Sequence, residues 1–221
     1  MLTLDEVTFC YPGSDTPVFE RVSLQVPAGA SMGLLAPSGS GKTTLLGVAS
    51  LSMEPTAGTV AVAGTPITGT GHRVPQTIRR KIGMVVQSPR AATSPRLTLQ
   101  RIIAEPLSFA DGRRTPDASA YAAQVAELAD TVQLSADLLE RLPHQVSDGQ
   151  LQRACLARAL ALDPEILLCD EPTAMLDSPT TAVIMKVVAA RVERGAAALI
   201  ASHDRALLGV TCDVLRSLDA A

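Results

Sequence analysis

The chain has 221 residues, long enough to bury a sizeable core as one domain or as a core with a subdomain. Hydrophobic residues make up 47% and charged residues 19%, with a formal net charge of −3, so a soluble globular protein is indicated and bulk nucleic-acid binding is not. The N-terminus, MLTLDEVTFCYPG, has no basic segment followed by an apolar one, and no apolar run approaches the ~18–20 residues that span a bilayer, so the chain is expected to be cytosolic. Any work at a membrane then goes through a partner.

The predicted elements follow in chain order. Residues 2–9, LTLDEVTF, alternate as a strand does. Residues 22–30 and 31–37, VSLQVPAGA and SMGLLAP, read as a hairpin-like pair leading into a Gly-rich loop, and 43–51 is helical. Residues 54–67, EPTAGTVAVAGTPI, read as a Gly-punctuated strand pair, and KIGMVVQSP, 81–89, as a buried strand ending in Gln87. From Arg90 to Gln145 the pattern turns helical, with Thr115-Pro116 as the N-cap and first residue of a helix through Leu134. A helix follows Ser147, then a strand at 165–170, a helix near 178–194, a strand at 196–202 and a short tail. Strands alternating with helices, interrupted by one helical insert, imply an α/β core with a helical subdomain. Cys10, Cys155, Cys169 and Cys212 show no C-x-x-C spacing and read as reduced core thiols.

The strongest local signal is LLAPSGSGKTTLL, 34–46: an apolar strand, a Gly/Ser loop, then Lys42 and Thr43 opening a helix. Glycines let the backbone curl so that successive N–H groups face phosphate oxygens, and the helix N-terminus adds partial positive charge. Lys42 is placed to reach the β- and γ-phosphates and Thr43 to ligate Mg²⁺. Ala36 stands where the phosphate-loop pattern has Gly, which costs little if its φ is negative and about 1 kcal/mol if positive.

ILLCDE, 166–171, is an apolar strand ending in two acids. Asp170 is placed to hold Mg²⁺, and Glu171 to orient or deprotonate an attacking water. LIASHDRA, 199–206, is a second apolar strand with His203 at its end. Parallel strands deliver their C-terminal ends to one edge of a sheet, so Lys42, Gln87, Asp170, Glu171 and His203 are expected to converge there.

These residues, in this order, resemble an ATP-binding cassette (ABC) ATPase, the nucleotide-binding subunit of ABC transporters, over essentially the whole chain. The resemblance implies a P-loop, RecA-like core at 1–87 and 151–221, with an antiparallel β subdomain and a helical subdomain at about 88–150. It implies ATP and Mg²⁺ as ligands, ATP meeting Ala36, Pro37, Ser38, Gly39, Ser40, Gly41, Lys42, Thr43 and Thr44, and Tyr11 stacking on adenine. It places Mg²⁺ on Thr43, Gln87 and Asp170, and the hydrolytic machinery on Glu171, His203 and Gln87. VSDGQ is similar to the family signature, so Ser147, Asp148, Gly149 and Gln150 would cap the γ-phosphate of ATP on a second cassette, in a head-to-tail dimer. Asp148 replaces a glycine there and is expected to point outward and help cap the helix. Asp177 falls in the D-loop.

The segment 87–107 is similar to that of oligopeptide, dipeptide and nickel importers at Gln87, Pro89, Pro95, Arg96, Ile103, Glu105, Pro106 and Leu107. The resemblance implies membrane permease subunits, a substrate-binding protein, a position at the cytoplasmic face of the membrane, and a second cassette that is either identical or a paralogue. Export, and a silent cassette in an asymmetric pair, stay open. A guanine-nucleotide switch is excluded because its Asn-Lys-x-Asp base reader needs Asn, which the chain lacks.

Overall fold

The computed structural model describes residues 1–37 and 39–218. The chain opens with β1 (Leu2–Phe9) and β2 (Phe19–Val26), then β3 (Ser31–Leu35), α1 (Lys42–Ala49), β4 (Ala57–Val62) and β5 (Thr65–Ile67). A short α2 (Gln76–Arg79) precedes β6 (Ile82–Val85). Then come α3 (Leu99–Ala110), α4 (Ala122–Thr131) and α5 (Asp148–Leu160), and finally β7 (Ile166–Asp170), α6 (Ser178–Glu193), β8 (Ala197–Ser202), α7 (Arg205–Thr211) and β9 (Val214–Ser217).

Two sheets result. One is antiparallel, in the order β2-β1-β4-β5; the other is parallel, in the order β6-β7-β8-β3-β9. Sequence composition separates them. β1 alternates buried and exposed positions, as a strand with one solvated face does. β7 and β8 are buried throughout, as strands covered on both faces must be. Along β7 the side chains divide by parity. Ile166 and Leu168 join the core beneath α1 and the antiparallel sheet, and Leu167 and Cys169 join the core formed with α3, α5 and α6. Each fully buried Leu or Ile contributes about 1.5–3 kcal/mol, so both layers hold the central strands in place. Gly58 is required locally: its φ is +84° and a Cβ would lie 2.4 Å from the Glu6 carbonyl oxygen.

This is the two-sheet α/β fold expected of a P-loop core, but several local expectations need correction. The segments at 22–30 and 31–37 are not a hairpin. β2 pairs with β1 in the antiparallel sheet, whereas β3 is inserted between β8 and β9 in the parallel one. The reason is burial: SMGLL is apolar on both faces and fits only the covered sheet. The helix expected from Thr115-Pro116 through Leu134 is shorter. Asp117 Oδ1 accepts from the Ser119 hydroxyl and the Ala120 N–H, winding a tight turn at Ser119–Tyr121 before α4 begins. The expected tail contains α7 and the edge strand β9. The four cysteines are free thiols, but only Cys155 and Cys169 are core residues; Cys10, just past the end of β1, and Cys212, just past α7, are partly exposed, which corrects the expectation for those two. Among the described residues, no helix is long and apolar enough to cross a membrane.

Candidate functional site

The parallel sheet sets the site. β3 pairs with β8 through Leu35↔Ser202, and β7 with β8 through Asp170↔Ala201, so the loops after β3, β7 and β8 leave the same edge. A cavity of about 730 Å³ opens there, lined among others by Tyr11, residues 39–44, Gln87, Asp170 and Glu171. Four stretches, the loop after β1, the loop after β3, Gln87 after β6 and the acids closing β7, thus meet at one place.

The loop after β3 leads directly into α1; Ser38 lies outside the described residues. Ala36 does not have a positive φ, so its Cβ carries no left-handed strain. Gly41 does, at +87°, and a Cβ there would lie 2.7 Å from Val18 Cγ1; only glycine fits at this helix start. The Ser40 hydroxyl donates to the Pro37 carbonyl at 2.7 Å. The Lys42 ammonium donates to the carbonyls of Ala36 at 2.6 Å and Pro37 at 2.9 Å, and lies 3.6 Å from Glu171 Oε1. It is 7% exposed, so a buried cation is held at the mouth of the loop.

Thr43 and Asp170 form the neighbouring pair. The Thr43 hydroxyl donates to Asp170 Oδ2 at 2.6 Å. Asp170 Oδ1 is buried with no hydrogen-bond partner. Burial pushes the Asp170 carboxyl above the ordinary carboxylate range; the Thr43 bond opposes this, Glu171 adds to it and Lys42 opposes it. A buried oxygen with an unused lone pair beside a hydroxyl fits a hard divalent cation such as Mg²⁺, to which Thr43 and Asp170 could offer two oxygen ligands.

Glu171 is 6% exposed and has a left-handed backbone, φ +43°. Its N–H donates to the Ala201 carbonyl at 2.9 Å, which ties it to the end of β8. Its carboxylate accepts from the Ser202 hydroxyl at 3.1 Å and from the His203 N–H at 3.0 Å, and His203 Nδ1 is 2.8 Å from Oε1. A strained residue over-determined by bonds on each side is the pattern of a positioned reactive group. The His203 ring borders a neighbouring groove with Ala36 and Pro37.

At the mouth of the cavity Tyr11 is half exposed. Its ring meets Phe9 edge-on, and its hydroxyl is 3.0 Å from Thr44 Oγ1. The signature residues do not line this cavity. Ser147 caps α5: its oxygen accepts from the Gln150 N–H at 3.2 Å, and the Gln150 side chain accepts from the Ser147 N–H at 2.9 Å. Asp148 is therefore not the cap. Its carboxylate is turned to Arg90, with Oδ1 2.6 Å from Nε. Asp177 caps α6 by accepting from the Thr180 N–H at 2.7 Å.

Two residues in this region escaped the sequence reading. Arg90 contacts the start of α5. Gln152 is 2% exposed, and its amide donates to the Val86 carbonyl at 3.2 Å and the Pro172 carbonyl at 3.1 Å, next to Gln87 and Glu171 respectively. The only signal for Gln152 was its place in QLQR, one turn into a helix that is otherwise apolar inside.

A strand-loop-helix phosphate cradle with an acid pair at the edge of a parallel sheet defines a P-loop nucleotide-binding protein. Comparison with known proteins takes this one step further: a family model described as ABC transporter matches residues 19–174, and the chain belongs to that family. It is 36% identical over 221 residues to a methionine import ATP-binding protein of Caulobacter vibrioides, covering all of this chain and 64% of the relative. It is 35% identical over 190 residues to a putative oligopeptide transport ATP-binding protein of Bacillus subtilis, covering 86% of this chain and 57% of the relative. The chain thus spans less than two thirds of these curated relatives. Its structure is similar to a dimeric post-hydrolysis state of the ATP-binding cassette MJ0796 bound to ADP and Pi. The TM-score is 0.85 at 29% identity, and the match covers 100% of this chain and 95% of that one.

Proposed function

We propose that the chain is the ATP-hydrolysing subunit of an ABC importer, with Glu171 as general base. The observation that carries this reading is the Glu171 carboxylate, buried and fixed by Ser202 and His203 within 3.6 Å of the phosphate-loop lysine. A carboxylate that close to Lys42 is within reach of a water lined up on a γ-phosphate bound by the loop. Lys42 then exchanges its two carbonyl partners for phosphate oxygens. Mg²⁺, held by Thr43 and Asp170 with Gln87 reaching in from the cavity wall, would neutralise charge on the β- and γ-phosphates. Tyr11 offers its ring to adenine, and His203 senses the γ-phosphate while holding Glu171.

The signature residues Ser147 to Gln150 lie outside the cavity of their own chain, which supports their use in trans. The head-to-tail partner, identical or paralogous, would present them to this chain's nucleotide, with the α5 N-terminus facing the phosphate. Closure of that pair would drive permease subunits, with the chain peripheral at the cytoplasmic face. A surface groove of about 290 Å³, to which Glu105 and Pro106 of the segment resembling peptide and nickel importers contribute beside Phe109 and Arg158, is the proposed permease contact. A substrate-binding protein would select the cargo: a peptide, nickel or a metal chelate.

The test is ATP turnover against protein concentration. A composite site predicts a rate per chain that rises through the dimerisation range. A rate per chain that stays constant across that range contradicts it.

A further inference from the structure

Arg90 makes three bonds to one short loop. Nε is 2.6 Å from Asp148 Oδ1, Nη1 donates to the Pro143 carbonyl at 2.8 Å, and Nη2 donates to the Val146 carbonyl at 3.0 Å. The planar guanidinium fork suits such a spread of acceptors, which an ammonium does not match. An isolated surface ion pair contributes little, since both side chains must be ordered and the charges are screened. This pair differs because the two carbonyl bonds, both partly buried, already fix the guanidinium. Asp148 therefore meets a preorganised cation.

The position of Asp148 makes this consequential. It is the first residue of α5, directly after the cap Ser147. A carboxylate suits a helix N-terminus by itself. It opposes the approach of a second anion to that N-terminus, which is what the composite site demands. Arg90 in turn follows Gln87, Ser88 and Pro89, and Gln87 lines the nucleotide cavity of its own chain. One short segment thus borders the chain's own nucleotide site and braces the helix start offered to the partner's.

We propose that Arg90 is a positioning residue: it braces the loop before α5 and cancels the Asp148 charge where α5 meets the nucleoside triphosphate of a second cassette. The proposal rests on the composite-site reading above. It explains how an acid is accommodated in the signature. Loss of Arg90 leaves an unpaired carboxylate facing the triphosphate, and loss of both charges removes the repulsion.

The experiment uses Glu171→Gln as parent, so that bound ATP persists, and measures the dimerisation constant by sedimentation in Mg-ATP. Arg90→Gln keeps a donor for the loop carbonyls and removes the charge. It should weaken the dimer about tenfold, the scale of one unit charge against a polyanion in high dielectric. The deficit should shrink at about 0.5 M salt, where the screening length falls to a few ångströms. Arg90→Gln with Asp148→Asn should return the constant to within about threefold of the parent. An Arg90→Gln dimer as tight as the parent overturns the proposal. So does a double variant no better than the single one, because Arg90 would then act only through the loop carbonyls. A parent that binds Mg-ATP yet stays monomeric overturns the composite-site reading, and the proposal with it.

Discussion

Glu171 Oε1 accepts the backbone N–H of His203 at 3.0 Å and lies 2.8 Å from the Nδ1 of the same residue. The backbone bond does not depend on the side chain. His203→Ala should therefore leave Glu171 placed and remove only the ring. We expect kcat for ATP to fall about 10²-fold, the lower end of what a positioned acid–base partner contributes, with KM within about threefold of wild type. Steady-state kinetics separates this from a binding defect, in which KM rises and kcat does not.

Gln152 joins the residue before Gln87 to the residue after Glu171 through two carbonyl bonds. Gln152→Leu keeps the bulk and leaves both carbonyls without this donor. The expected loss is about 1–3 kcal/mol of folding stability, measured by urea unfolding. A fall in kcat should accompany it while nucleotide affinity holds, because the phosphate loop is not touched.

The Ser31 N–H and hydroxyl both donate to Asp213 Oδ2 at 2.8 Å, tying the start of β3 to the approach to β9. The backbone bond from Ser31, then its hydroxyl, hold the Asp213 carboxyl below the ordinary carboxylate range. The folded state thus binds this proton less readily than the unfolded state. The stabilisation is present above the ordinary value of about 3.9 and is lost as pH falls through the lower folded one. The carboxylate is largely exposed, so solvent screening limits the effect. Asp213→Asn should cost about 1 kcal/mol at pH 7, and the gap to wild type should close once pH falls below the ordinary carboxylate range.

Burial pushes the Cys155 thiol up to about 11, and that of Cys169 further. Both remain protonated at neutral pH and are poor nucleophiles. Maleimide should modify neither in the folded chain and both after denaturation, with mass spectrometry locating the adducts. Rapid native labelling at Cys169 would contradict the burial of β7.

Much of the site was legible because its signals are contiguous. Lys42 and Thr43 follow a glycine loop, and Asp170 and Glu171 close an apolar strand. His203 ends another, and the parallel topology then brings them together. What escaped was made by contacts distant in sequence. Arg90 meets Asp148 across 58 residues, Gln152 meets Val86 across 66, and Ser31 meets Asp213 across 182. No local pattern encodes such pairs. The sheet that β3 joins is not legible in the sequence, because a turn at 27–30 looks alike whether the chain stays in one sheet or crosses to another. β9 was missed because all four of its residues are exposed, so no alternation marks it.

On the proposed reading, Glu171 activates water at a site completed by a second cassette. Its most direct test compares ATP hydrolysis by the wild-type chain with Glu171→Gln, alongside sizing in Mg-ATP. The wild type should turn over ATP, and the variant, slowed at least about 10²-fold, should accumulate as an ATP-bound dimer. A variant that hydrolyses ATP at the wild-type rate, or two proteins that bind Mg-ATP and remain monomers, would contradict it.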